Sequence, residues 1–277
     1  MSSPRIGLAL SGGAARGMAH VGVLRALLEN GIPIDCVAGT SAGSIVGGAF
    51  AAGMSIDEIT DLGRKLRWRH IGRITISRFG VQSNARLDRY MRARLPITKF
   101  EDLAIPFAAV ATDLKTGQAV VMKDKGDVPF AIRASCTIPG WYVPVPDGEG
   151  RQLVDGGLVA VIPSAATRAL GAHIVIAVDV NSAGATFISS SSSVIGVLLQ
   201  SMIVIQRSVC KQHCEMSDFV ITPKVAHIRW DQVRRADELM AAGYEAGLES
   251  VSKIRKLIDS VTTDKTDFKN RSALIGL

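Results

Sequence analysis

A chain of 277 residues with 47% hydrophobic residues can bury a large core, as one large α/β domain or two small ones. Only 5% of residues are aromatic, so that core is expected to consist mostly of Ala, Val, Ile and Leu. The formal charge of +7 is concentrated in residues 64–95, where ten Lys/Arg meet one acid, Asp88, with Trp68, Phe79 and Tyr90 interleaved; this suits a solvated basic face or a surface for anionic lipid headgroups, and without a nucleic-acid motif it speaks against nucleic acid.

The opening reads as a buried strand over residues 5–10 and a glycine-rich loop, Ser11-Gly12-Gly13-Ala14-Ala15-Arg16-Gly17. A helix with Met18, Val21, Leu24, Leu27 and Leu28 at helical spacing comes next. Asn30-Gly31 caps it. A second strand, 35–39, runs into Gly39-Thr40-Ser41-Ala42-Gly43, and a small-residue helix spans about 42–52. This βαβα start implies a parallel sheet. The apolar run at 6–10 is too short for a signal peptide, and the run at 194–205 is too short to span a bilayer. The chain therefore reads as a soluble protein of a reducing compartment, with a cytoplasmic location expected and peripheral attachment to the inner face of the membrane through 64–94 as an extension.

Ser55 with Glu58 predicts a capping box for a helix ending near Leu66. Further elements are expected as a helix at 85–94, a strand at 106–112, its hairpin partner at 119–122 and a helix at 127–135. Residues 138–144 read as an irregular proline-rich loop. A short strand at 152–154 ends in Asp155-Gly156-Gly157. Strands at 174–180 and 219–222, a helix at 194–214 and a helix at 231–258 complete the list. The serine run at 189–193 reads as a mobile surface loop. No repeat or linker divides the chain, so 1–258 is expected to be one domain and 259–277 a polar tail.

Strand, tight turn with a central serine, then helix is the layout of a nucleophile elbow. Glycines two residues to either side of Ser41 let the chain fold tightly beneath it. A serine nucleophile needs a base and donors for an oxyanion. Gly12, Gly13 and Ala14 offer converging amides, and Arg16 offers either a charge for an anionic substrate or a structural ion pair. A dinucleotide fingerprint fits this loop poorly, because its middle glycine would be Ala14 and the second strand ends in no acid. None of the five histidines, His20, His70, His173, His213 and His227, sits in a motif. Asp155, at a turn with two glycines behind it, is a carboxylate that could act directly on Ser41. The four cysteines, Cys36, Cys136, Cys210 and Cys214, match no zinc or disulfide framework. Cys210 and Cys214, one helical turn apart, read as packing residues with a redox pair or lipidation site as alternatives.

The glycine loop, the elbow and Asp155-Gly156-Gly157, in that order, resemble the patatin-like phospholipase family, most closely its bacterial members, over about residues 5–180. The resemblance implies a three-layer α/β/α sandwich with a central, mainly parallel sheet. It implies Ser41 as nucleophile and Asp155 as base of a dyad. Gly12, Gly13 and Ala14 would form the oxyanion hole, with Gly17, Gly39, Gly43, Gly156 and Gly157 completing the motifs. It implies hydrolysis of fatty-acyl esters of phospholipids, lysophospholipids or neutral lipids, with no metal or other cofactor for the dyad. A transacylase or thioesterase with the same dyad, and a non-catalytic regulator on the same fold, are the alternatives. One departure stands out: the family's third loop glycine is Ala14 here, and a φ above zero would strain it.

Overall fold

The computed structural model describes residues 3–181 and 194–274, so the serine run at 189–193 lies outside the described residues. In chain order, β1 (Ile6–Leu10) passes through the glycine loop and a 3-10 turn, Ala14–Met18, to α1 (Ala19–Glu29), β2 (Cys36–Thr40) and α2 (Ala42–Ala51). α3 (Ile56–Lys65) opens on the expected capping box, with the Ser55 amide donating to the Glu58 carboxylate at 2.7 Å. The basic stretch holds α4 (Trp68–Ile71), β3 (Arg73–Ile74), β4 (Gly80–Ser83) and α5 (Ala85–Arg92). After it come β5 (Phe107–Asp113), β6 (Ala119–Met122), α6 (Val128–Ser135), β7 (Gly140–Tyr142), β8 (Val145–Pro146) and β9 (Gln152–Asp155). The chain continues through α7 (Ser164–Ala169), β10 (Ile174–Val178), α8 (Val194–Glu215), β11 (Phe219–Ile221) and α9 (Ala236–Leu274).

The main sheet runs β11-β10-β1-β2-β5-β9-β8, with β6 also paired to β5. The pairings from β11 to β5 are parallel, and those involving β6, β8 and β9 are antiparallel. Helices cover both faces, which is why β1, β2, β5 and β10 are buried at every position and read as unbroken apolar runs. The pleat sorts residues by size. Leu8, Leu10 and Val37 enter the core shared with α1, α2 and α9, whereas Ala9, Cys36 and Ala38 enter a smaller-residue core with α7 and Cys210 of α8. The expected three-layer sandwich with a mainly parallel sheet is the observed fold. Among the described residues no helix is long and apolar enough to cross a membrane.

Three expectations need correction. Residues 138–144 are not wholly irregular: β7 joins β4, which pairs with β3, in a separate three-stranded sheet. Its strands are two to four residues long and gain their partners through distant pairing, so no local periodicity announces them. The six-residue α7 escapes for the same reason. The last helix starts at Ala236, after a 3-10 turn, and continues past residue 258 to Leu274. No Gly or Pro interrupts residues 248–275, so its polar composition alone does not end it.

α9 lies against α1 with backbone touching backbone. A Cβ at Gly22 would fall 1.9 Å from the Met240 carbonyl oxygen, and one at Gly243 would fall 1.9 Å from that of Ala19. This close crossing buries Leu239 and Ile254 and leaves Leu248, on the helical periodicity's core side, exposed.

Candidate active site

β2 ends at Thr40 and α2 begins at Ala42, so Ser41 stands alone on the turn between them, at φ 51° and ψ −122°. Few non-glycine residues adopt such angles, and the surroundings must hold them. The Ser41 amide donates to Ser135 Oγ at 2.8 Å, and that hydroxyl donates onward to the Val110 carbonyl at 2.6 Å. The Ser41 carbonyl accepts from the Ser44 hydroxyl at 2.6 Å. The flanking glycines are required by contact. A Cβ at Gly39 would sit 2.4 Å from the Gly43 carbonyl oxygen, and one at Gly43 would sit 2.2 Å from that of Leu10.

Asp155 closes β9, two strands from β2, with Ala111 of the intervening β5 as its partner. Its backbone is fixed on both sides: the amide donates to the Thr137 carbonyl at 2.7 Å, and its carbonyl accepts from Thr112 Oγ1 at 3.0 Å. Gly156 allows the turn, since a Cβ there would meet the Val110 carbonyl oxygen at 2.2 Å. The Gly157 amide donates to Asp155 Oδ1 at 2.8 Å. Burial raises the Asp155 pKa to about 6, while the adjoining Ser41 hydroxyl and the Gly157 amide pull it down. A carboxylate in that range can exchange a proton near neutrality, which an ordinary aspartate cannot do efficiently.

The glycine loop ends β1, which lies parallel beside β2. Gly12 passes so close that a Cβ on it would be 3.4 Å from that of Ser41. Its amide, however, donates to the Val161 carbonyl at 2.9 Å, so Gly12 supplies space and not a free donor. The Gly13 and Ala14 amides find no acceptor among the described residues. Ala14 does adopt the positive φ that its alanine makes costly, at 49°. Ala14→Gly should therefore raise the melting temperature, the relieved strain of about 1 kcal/mol outweighing the added chain entropy, while Ala14→Val should lower it; thermal melts of the two variants check this.

Beside Ser41 opens a narrow apolar slot of about 50 Å³, walled by Ala14, Ile45, Trp68, Leu87 and Tyr142 among others. Cys136 also lines it, 3.8 Å from Ser44 Oγ, and burial followed by the nearby Asp155 pushes its thiol pKa up. Ser135, Ser44 and Cys136 were not candidates from sequence. The only signal was a run of small polar residues, Ser135-Cys136-Thr137, at the end of a helix.

Arg16 is buried in the fold. It is 1% exposed, and its Nε donates to the Ile228 carbonyl at 2.7 Å, so it ties the glycine loop to the segment before α9. The histidines are engaged elsewhere. His20 contacts the Ser11 carbonyl at 2.8 Å and burial lowers its pKa to about 4; His173 accepts from the Arg5 amide, and His227 meets Glu238. Burial lowers the pKa of His213, whose Nδ1 has no partner among the described residues.

The basic stretch forms a hairpin that carries apolar side chains into solvent. Ile74, Ile76 and Phe79 are 79%, 105% and 65% exposed. Arg73, Arg86 and Arg89 line a cleft of about 580 Å³ next to them. The hairpin pairs with β7, whose Tyr142 walls the slot beside Ser41. Part of the charge is neutralised, as Arg64 pairs with Asp237 and Arg92 with Asp88 and Asp127.

Residues 8–167 match the family model described as patatin-like phospholipase. An uncharacterised NTE family protein of Mycobacterium tuberculosis is 41% identical over 183 residues, covering 65% of this chain and 50% of that protein. A lysophospholipase of Mycosarcoma maydis is 40% identical over 185 residues, covering 64% of this chain and 10% of that protein. Patatin-like phospholipase domain-containing protein 7 of Rattus norvegicus is 30% identical over 279 residues, covering 87% of this chain and 20% of that protein. The chain thus spans half or less of the length of these relatives. Among solved structures, VipD from Legionella pneumophila superposes with a TM-score of 0.62 at 14% identity, covering 94% of this chain and 67% of that one, a likeness of fold.

Proposed function

The chain belongs to the patatin-like phospholipase family, and from that premise we propose that it hydrolyses fatty-acyl esters of lipids through Ser41 and Asp155. The observation that carries the reading is a buried carboxylate with a pKa raised to about 6 lying against a serine on a strained turn. Two amides of the loop beside it, those of Gly13 and Ala14, have no acceptor among the described residues.

Asp155 accepts the Ser41 proton as Ser41 Oγ attacks the ester carbonyl. The Gly13 and Ala14 amides receive the oxyanion of the tetrahedral intermediate. Asp155 returns the proton to the leaving alcohol or lysolipid, and an acyl-enzyme remains on Ser41. Asp155 then takes a proton from water, whose oxygen attacks the acyl carbon, and passes that proton to Ser41 Oγ as the acyl–oxygen bond breaks and frees the fatty acid. The acyl chain enters the slot beside Ser41. At about 50 Å³ that slot is far smaller than the roughly 300 Å³ lower bound of typical ligand pockets, so a long chain must displace side chains such as Leu66 and Trp68.

A fluorophosphonate should label Ser41, read by peptide mass spectrometry, and no label on Ser41 would exclude it as the nucleophile. With p-nitrophenyl esters, kcat/KM should fall about tenfold per pH unit below the Asp155 pKa of about 6 and level off above it, because only the ionised carboxylate accepts the proton. His173→Ala, His213→Ala and His227→Ala should stay within a few-fold of wild type; loss of activity in any of them would point to a Ser–His–Asp triad instead.

Catalysis at an anionic membrane surface is part of the same proposal. The exposed Ile74, Ile76 and Phe79 beside arginines suit shallow insertion among acidic headgroups. The chain should sediment with vesicles containing phosphatidylglycerol and not with neutral ones. Ile76→Asp with Phe79→Asp should weaken that binding by about tenfold or more, since each buried apolar side chain is worth about 1.5–3 kcal/mol.

A further inference from the structure

We propose that Asp179, Cys210 and Cys214 form a binding site for a thiophilic divalent cation of the Zn2+ type, between the end of β10 and α8. The two thiols lie one turn apart on one side of α8, a spacing that is no zinc framework by itself. The fold adds a third donor from 31 residues earlier in the chain. The ligand atoms of all three residues lie within 4.8 Å of one another.

The distances suit the ion. Cys210 Sγ is 3.4 Å from Asp179 Oδ2. A tetrahedral zinc with arms of about 2.3 Å to sulfur and about 2.0 Å to oxygen sets that edge at about 3.5 Å. The charge balance suits it too. Asp179 is 0% exposed, and among the described residues the hydrogen bonds it receives come from the Asn181 amide at 2.8 Å and the Cys210 thiol, both neutral. A carboxylate removed from water is stabilised by a cation, and two soft sulfurs select a zinc-like ion over magnesium or calcium. On binding, two S–Zn bonds form and the two thiol protons pass to solvent. Cys214 is only half-buried, which gives the ion a route in.

The site stands independently of the proposed ester hydrolysis, yet it adjoins the glycine loop. The Val180 amide donates to Ser11 Oγ at 3.1 Å, and Asn181 Nδ2 donates to the Gly12 carbonyl at 2.5 Å. An ion that holds Asp179 therefore also holds the two residues that brace Ser11 and Gly12.

The test is a Co2+ titration of the full, reduced chain, followed by optical absorption. A thiolate-to-cobalt charge-transfer band with tetrahedral d–d bands should saturate at one equivalent and vanish on addition of Zn2+. Zn2+ should also slow maleimide labelling of Cys214. Cys210→Ser, Cys214→Ser and Asp179→Asn should each weaken binding by about tenfold or more, and Cys36→Ser should leave it unchanged. Wild-type protein with all thiols reduced and no charge-transfer band would overturn the proposal, whatever the variants do. So would an undiminished band in Cys210→Ser and Cys214→Ser.

Discussion

Asp155→Asn is expected to abolish ester turnover and, in the same protein, to raise the melting temperature at pH 8. The two effects share one cause. Burial lifts the carboxyl pKa from 3.8 to about 6, so at pH 8 the folded chain carries an ionised group in a site that favours the neutral one. A native pKa above the unfolded one means the native state binds more protons between them. Stability is then fully present below about pH 4, falls as pH rises, and is lost above about pH 6. A shift from 3.8 to about 6 corresponds to about 3 kcal/mol. Asparagine keeps an oxygen to accept from the Gly157 amide, carries no charge and cannot take the Ser41 proton. Thermal melts should show Asp155→Asn several degrees above wild type at pH 8 and level with it at pH 4 to 5. Ser41→Ala should lose turnover by about 10⁴-fold or more without that pH-dependent gain. An Asp155→Asn variant that keeps its activity, or melts below wild type at pH 8, would remove Asp155 from the proposed role.

Gly43→Ala should destabilise the fold by at least about 3 kcal/mol, a large effect for one added methyl group. The new Cβ would lie 2.2 Å from the Leu10 carbonyl oxygen and 2.7 Å from that of Ser11. Both are backbone atoms at the end of β1, so no side chain can rotate away, and α2 or the glycine loop must shift. Either movement separates Ser41 from the Gly13 and Ala14 amides. Gly31→Ala is the control: it has a φ of +68° but nothing within 4 Å, so it should cost only about 1 kcal/mol. Denaturant melts of the two variants compare a contact penalty with a purely conformational one. Equal losses would mean that the elbow tolerates a Cβ.

Much of this was legible in the residues themselves. Unbroken apolar runs announced β1, β2, β5 and β10, because strands covered on both faces have no polar side. The Ser55 and Glu58 pair announced the start of α3, since both halves of a capping box lie within one turn. The elbow around Ser41 and the loop at Gly12 were visible for the same reason: tight turns depend on neighbours in sequence. Arg16 offered both a substrate charge and a structural partner to the sequence reading, and only the return of the chain at Ile228 shows it buried. The sheet of β3, β4 and β7 and the support of the Ser41 amide by Ser135, 94 residues away, left no local trace either.

The sequence by itself therefore determined the central strands and most of the helices, the order of the motifs and the family resemblance, all of which rest on side chains a few residues apart. Tertiary structure alone decided that Asp155 lies against Ser41 with a raised pKa, which loop amides lack an acceptor among the described residues, and that Asp179 meets the two cysteines. Desolvation and through-space contact are properties of the closed core. They arise only when β5 and β9, and β10 and α8, bring distant stretches together and exclude water from between them.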